Sequence, residues 1–134
     1  MNLLLDTHVL IWALTDDARL SQKARQLILD PDNAIYYSAA SVWEISIKHA
    51  LHPKEIEFSG KELSDCCREA GYLPLEIRDR HVYSLETLAR SKDAQPHKDP
   101  FDRMLMAQAK AENMSFLTHD SLFSGYDEKC VIQV

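Results

Sequence analysis

Five short runs of apolar or β-branched residues, none alternating with polar ones, limit what this chain can become. Asn2 to Leu5, Ala34 to Tyr37, Tyr72 to Ile77, Ser115 to Thr118 and Cys130 to Val134 read as strands. A strand with one wet face alternates; one that does not is buried on both faces, which calls for a parallel sheet covered by helices on each side. Stretches of helical spacing separate the runs. Leu20, Ala24, Leu27 and Ile28 recur at helical intervals, with Ser21 placed as a cap and Pro31 just past the end. A second helix is expected from Ser38 or Ser41 to about Leu51, ahead of Pro53. Ser59 to Gly71 has glycine in the stopping position, Asp79 to about Ser91 is periodic, and Pro100 to Asn113 opens with proline at the favoured first helical position. Strands alternating with helices predict an α/β domain around a mostly parallel sheet.

Size and charge narrow the reading. With 134 residues, 46% of them apolar, the chain can build one core and has no room for a second, so a single domain over 1–134 is expected. Fifteen basic against 21 acidic residues give a net charge of −6, which excludes a generic nucleic-acid binder held by bulk positive charge. A nucleic-acid enzyme is not excluded, because bound divalent cations can supply positive charge where phosphate meets protein. Three cysteines, Cys66, Cys67 and Cys130, form neither a metal spacing nor a disulfide framework, so a reducing cytoplasm is expected and the adjacent pair reads as packing. The longest apolar stretch, Val9 to Leu14, falls far short of the ~20 residues of a membrane span.

Ligands of an open parallel sheet gather at the carboxyl ends of its strands, and two aspartates fall there. Asp6 follows Leu5 and precedes Thr7; Asp120 follows Thr118 and His119. Aspartate also serves as a helix cap and turn former, so each alone is ambiguous. Glu44 lies at the margin of an apolar helix face set by Trp43, Ile47, Ala50 and Leu51, and Lys48 four residues on offers it an ordinary helix-surface pair worth about 0.3–0.5 kcal/mol. In His97-Lys98-Asp99-Pro100-Phe101-Asp102-Arg103, Asp99 before Pro100 has the form of a helix cap. Asp102 is harder to explain that way, because helical spacing sets it between Met106 and Ala109 on the core side. A carboxylate in an apolar stripe needs a partner, a proton or a metal ion. Four acids at two strand ends and two helix faces suggest a hard-cation site suited to Mg²⁺ or Mn²⁺ and to phosphodiester hydrolysis.

With these residues in view, the chain resembles the PIN-domain ribonucleases, particularly VapC-type toxins of bacterial toxin–antitoxin pairs. The likeness spans essentially the whole chain, in LLLDTHVLIW, YYSAASVWEISIKHAL, HKDPFDRMLMAQA and FLTHD, in that order. The resemblance implies a PIN-like three-layer α/β/α domain and a metal-dependent endoribonuclease whose acids would be Asp6, Glu44, Asp102 and Asp120. Asp99 matches the extra aspartate of a DPFDR-containing subgroup, as ligand or support. Thr7 and Thr118 match the small hydroxyl positions beside the first and last acids. The family further implies an RNA substrate, a homodimer and a cognate VapB-like antitoxin.

For RNA contact the cations beside the motif acids are Lys48, Lys98 and Arg103, with local pairing to a carboxylate as the alternative for each. His119 departs from many relatives and reads as a substrate contact or a turn residue. His8 and His97 lie near the motif acids but are not expected as metal ligands, since their neighbours are oxygen donors. Tyr36, Tyr37 and Trp43 are expected in the core. A receiver domain would want paired acids at the first strand end, and a dehalogenase-like phosphatase a second aspartate where His8 stands. A PIN scaffold acting as a binding or regulatory protein is the remaining alternative.

Overall fold

The computed structural model describes all 134 residues, Met1–Val134. Five strands, β1 (Asn2–Leu5), β2 (Ala34–Ser38), β3 (Leu73–Leu75), β4 (Ser115–Thr118) and β5 (Val131–Gln133), form one sheet in the order β3-β2-β1-β4-β5. Every pairing is parallel, with Leu4 opposite Tyr36 on one side and Phe116 on the other. Six helices connect them: α1 (Thr7–Leu14), α2 (Gln22–Leu29), α3 (Ala39–Leu51), α4 (Gly60–Glu69), α5 (Asp79–Leu85) and α6 (Pro100–Ala111). This is the three-layer α/β/α arrangement expected from the sequence.

The absence of alternation has the cause inferred for it. Leu3 and Leu5 point into one core with Val9, Leu10, Ile45 and Leu63, while Leu4 points into a second core with Leu105, Met106, Phe116 and Phe123. All three leucines are fully buried, since both faces of β1 are covered. The edge strands lose that cover: Leu73 of β3 is exposed, and β3 and β5 are shorter than the apolar runs containing them.

Local chemistry sets the helix ends. Ser21 accepts from the Ala24 N–H, and Ser59 and Glu62 make a reciprocal capping box on α4. Gly71 stops α4 at φ +84°, a conformation side chains disfavour. Gly60 permits the close crossing of α4 over α3, because a Cβ there would lie 2.0 Å from Ser46 Oγ.

Three expectations are corrected. The helix from Asp79 ends at Leu85, and the chain beyond turns so that Arg90 pairs with Tyr126 in an isolated bridge. Trp43 is not in the core: it is 59% exposed and rests edge-on against Phe101, because α3 is covered on only part of its circumference. Of the adjacent cysteines only Cys67 is packed, while Cys66 is exposed. Val9 to Leu14, read only as an apolar stretch, forms most of α1; Asp6 caps that helix. Tyr37 is buried as expected. No helix is long and apolar enough to cross a membrane.

Candidate active site

β1 leads through α1 and α2 to β2 on one side of it, whereas β4 lies on its other side, so the strand order reverses between β1 and β4. Chains splay apart at such a point and leave a crevice beyond the strands' carboxyl ends. The crevice is a cleft of about 290 Å³ whose wall carries Asp6, Glu44, Asp99, Asp102 and Asp120, with Thr7, His8, Lys48, His97 and Lys98 among them. All four expected acids and Asp99 therefore meet in one place from four separate stretches of chain.

Asp6 ends β1 and is 3% exposed. Its Oδ1 accepts from the Thr7 N–H (2.8 Å) and its Oδ2 from the Thr118 hydroxyl (2.7 Å), so β4 orients the carboxylate of β1. Burial raises the Asp6 pKa to about 6 against the pull of those two bonds. The Thr7 hydroxyl turns away to Ser41 at 2.8 Å and ties α1 to α3, leaving only its backbone N–H to serve the acid.

Glu44 is brought in by α3 at 4% exposure. Its Oε2 takes Lys48 at 2.6 Å, so the local pair expected from spacing does form. Its Oε1 is buried without any hydrogen-bond partner. Leaving such an oxygen unmatched costs roughly 1–3 kcal/mol, more for a charged group, so the local pair accounts for only half of this carboxylate.

Asp99 caps α6, its Oδ1 accepting from the N–H groups of Phe101 (2.9 Å) and Asp102 (3.1 Å). Asp102, one turn in, is 17% exposed, with Oδ2 3.0 Å from His97 Nε2. Burial first, then the charges of Asp6, Asp99, Glu44 and Asp120, push its pKa to about 8. Asp120 holds a short 3₁₀ turn, Ser121–Gly125, by accepting from the Leu122 N–H at 2.9 Å. One ligand atom each from His97, Asp102 and Asp120 lies within 4.8 Å of the others.

The remaining sequence readings divide. Lys48 and Lys98 stand in the cleft wall, whereas Arg103 is exposed outside it. His119 bonds the Val134 carbonyl at 2.8 Å and packs against Trp12, a structural position outside the cleft. His97, not expected as a metal ligand, takes a buried place beside the acids. It is 7% exposed, lies between Asp102 and the Tyr126 hydroxyl, and stands edge-on to Phe123. The usable signal was its place at the end of an irregular loop running straight into the Asp99–Asp102 turn; nothing pointed to Tyr126.

Burial, and for Asp102 the neighbouring acids as well, leaves two raised pKa values, and Glu44 keeps one unmatched oxygen. A small hard cation satisfies all three, and an oxygen-rich donor set suits Mg²⁺ or Mn²⁺. The PIN domain family model matches residues 3–129. The chain belongs to the PIN domain family. No curated protein sequence matches significantly. Among solved structures, this PIN domain is similar to a chain of VapBC2 from Rickettsia felis bound to a promoter DNA fragment, with TM-score 0.73 and 14% identity over 100% of this chain and 99% of that one. It is also similar to a chain of FitAcB from Neisseria gonorrhoeae, with TM-score 0.59 and 18% identity over 98% and 96%.

Proposed function

We propose that this PIN domain is a metal-dependent endoribonuclease, the toxin of a VapBC-type pair. The observation that carries the reading is Glu44 Oε1: a buried carboxylate oxygen without a partner in a wall shared with Asp6, Asp102 and Asp120. In this reading Asp6, Glu44, Asp102 and Asp120 hold Mg²⁺ or Mn²⁺, and Asp99 supports Asp102 through the α6 cap. Bound there, the ion supplies an activated water and charge stabilisation of the leaving oxygen in phosphodiester hydrolysis.

The chain's own groups do the rest. Thr118 and the Thr7 N–H fix both oxygens of Asp6. Lys48 and Lys98 at the wall neutralise an approaching RNA backbone, and Arg103 extends the basic contact outside it. The fold neighbour VapBC2, bound to a fragment of promoter DNA, supports a VapB-like antitoxin as partner; a homodimer in the cytoplasm belongs to the same proposal. An unmatched buried carboxylate oxygen among the gathered acids favours metal-dependent cleavage over the scaffold alternative.

The test compares wild type and Asp6→Asn on a mixed RNA pool with Mn²⁺, Mg²⁺ or EDTA, with folding checked by circular dichroism. Metal-dependent cuts by the wild type, absent with EDTA and in the variant, are expected. Equal cleavage by the two proteins would remove Asp6 from the site, and a wild type that neither cuts nor takes up Mn²⁺ in calorimetry would leave the scaffold reading.

A further inference from the structure

His97 and Tyr126 come from two connecting segments that the acid motifs do not include, yet they end on a motif acid. The His97 ring is almost wholly buried, and each of its nitrogens has one neighbour: Nδ1 lies 3.0 Å from the Tyr126 hydroxyl and Nε2 lies 3.0 Å from Asp102 Oδ2. The hydroxyl beside Nδ1 can donate, whereas an ionised carboxylate beside Nε2 can only accept, so a neutral ring fits the two with one arrangement of protons. A phenol that keeps its proton donates it to Nδ1. The single ring proton is then on Nε2, facing the carboxylate. No other arrangement lets an ionised Asp102 receive a hydrogen bond from a neutral His97.

The device is anchored from behind. The Arg90 guanidinium lies 4.7 Å over the Tyr126 ring, and its nitrogens donate to the carbonyls of Leu122 (2.8 Å) and Gln95. Gln95 sits in the loop carrying His97, and Leu122 in the turn opened by Asp120, so one side chain clamps both segments. Phe123 packs at right angles to the imidazole, with the ring centres 4.8 Å apart.

We infer that Tyr126 and His97 form a relay of hydrogen bonds that positions the Asp102 carboxylate, with Tyr126 selecting the Nε2–H form of His97 and His97 holding Oδ2 so that the other carboxylate oxygen faces the cleft. The inference rests on the nuclease reading only for the purpose of that free oxygen, which is to meet the cation. His97 is thus a positioning residue and contributes no bond to the ion; carboxylate ligands elsewhere are likewise oriented by hydrogen bonds from a surrounding shell.

Two measurements test it. The first needs no metal: nitrogen NMR of the imidazoles above the Asp102 value of about 8. Wild type is expected to show His97 as a single Nε2–H neutral ring, and Tyr126→Phe, which keeps the ring under Arg90, a mixture of both neutral forms. An Nδ1–H ring in wild type overturns the relay. The second is Mn²⁺ calorimetry on full-length protein. His97→Leu is expected to weaken binding about 10–100-fold, the usual cost of losing a supporting hydrogen bond, and His97→Gln, which keeps a donor near Nε2, to recover most of it. In an Asp102→Asn background, His97→Leu and Tyr126→Phe should cost nothing further; an undiminished further loss overturns the inference. Nitrogen coupling to bound Mn²⁺ in pulsed EPR would make His97 a direct ligand and equally overturn it. If wild type shows the Nε2–H ring but takes up no Mn²⁺, the positioning stands and the metal-nuclease reading falls.

Discussion

Two buried histidines each face a carboxylate of α6 or its C-terminal cap, at opposite ends of that helix. At the far end His81 accepts the Arg78 N–H on Nδ1 (2.9 Å) and offers Nε2–H to Glu112 at 2.8 Å, while Arg80 brings a cation to the same oxygen. At the cleft end His97 takes Tyr126 on Nδ1 and faces Asp102 with Nε2. The local geometry is nearly the same, but the electrostatics are opposite. Bonds from His81 and Arg80 hold Glu112 below the usual carboxylate range, whereas burial and four neighbouring acids drive Asp102 to about 8. A balanced pair locks α5 to α6. An unbalanced one stores repulsion that only a proton or a cation relieves, and that is what separates a structural ion pair from a site.

The largest expected effect breaks the comparison outright. Asp102→Asn should abolish metal-dependent cleavage and, in metal-free buffer above about pH 8, raise thermal stability, because it removes a charge the site cannot balance there. Glu112→Ala should leave cleavage intact and lower stability by about 1–3 kcal/mol, since the Nε2–H of fully buried His81 loses its acceptor. Thermal melts beside an RNA cleavage assay read both signs, and two variants moving in the same direction would erase the distinction.

Next in size is the response to metal. Mn²⁺ at 100 times its dissociation constant should stabilise the wild type by about 2.7 kcal/mol, reversed by EDTA. Asp6 and Asp102 have raised values when folded, so the stability they contribute is complete below the ordinary 3.8 and lost as pH rises through about 6 and about 8. Metal-free protein should therefore lose stability from these groups across that window, while Mn²⁺ binds more tightly over the same range as the competing protons leave. Glu112 has the opposite sign: its lowered value contributes stability present above the ordinary 4.5 and lost as the solution is acidified. Melts against pH for wild type, Asp102→Asn and Glu112→Ala should separate the alkaline limb from the acid one.

The smallest expected effect is at Thr118. Its hydroxyl bonds Asp6 from the neighbouring strand, so Thr118→Val should cost about 1 kcal/mol and weaken Mn²⁺ binding several-fold. Calorimetry beside a denaturant titration checks it, and unchanged Mn²⁺ affinity would show that Asp6 needs no help from β4.

Much of this was legible in the residues themselves. Non-alternating runs predicted strands covered on both faces because a side chain's tolerance for water is local, and Leu3, Leu4 and Leu5 fill two cores as that logic requires. Caps at Ser21 and Asp99 and the stop at Gly71 followed from hydrogen-bond and φ preferences acting within a few residues. The four acids could be named from strand ends and helix faces, and Asp102 stood out because a carboxylate in an apolar stripe needs a reason.

What the sequence determined by itself was therefore the local alphabet: parallel strands, most helix limits and the acids aimed at a sheet's carboxyl end. Only the tertiary structure decided which charges remain unbalanced. Glu44 could be seen to pair with Lys48, but that its second oxygen would be buried and unmatched depends on chains far away in sequence. Trp43 looked like core because helical spacing says which residues share a face and not whether anything covers it. His97 and His81 are indistinguishable as letters near acids. Their difference arises from desolvation and from the sum of charges within a few ångströms, both of which are properties of the folded neighbourhood and of no single stretch of chain.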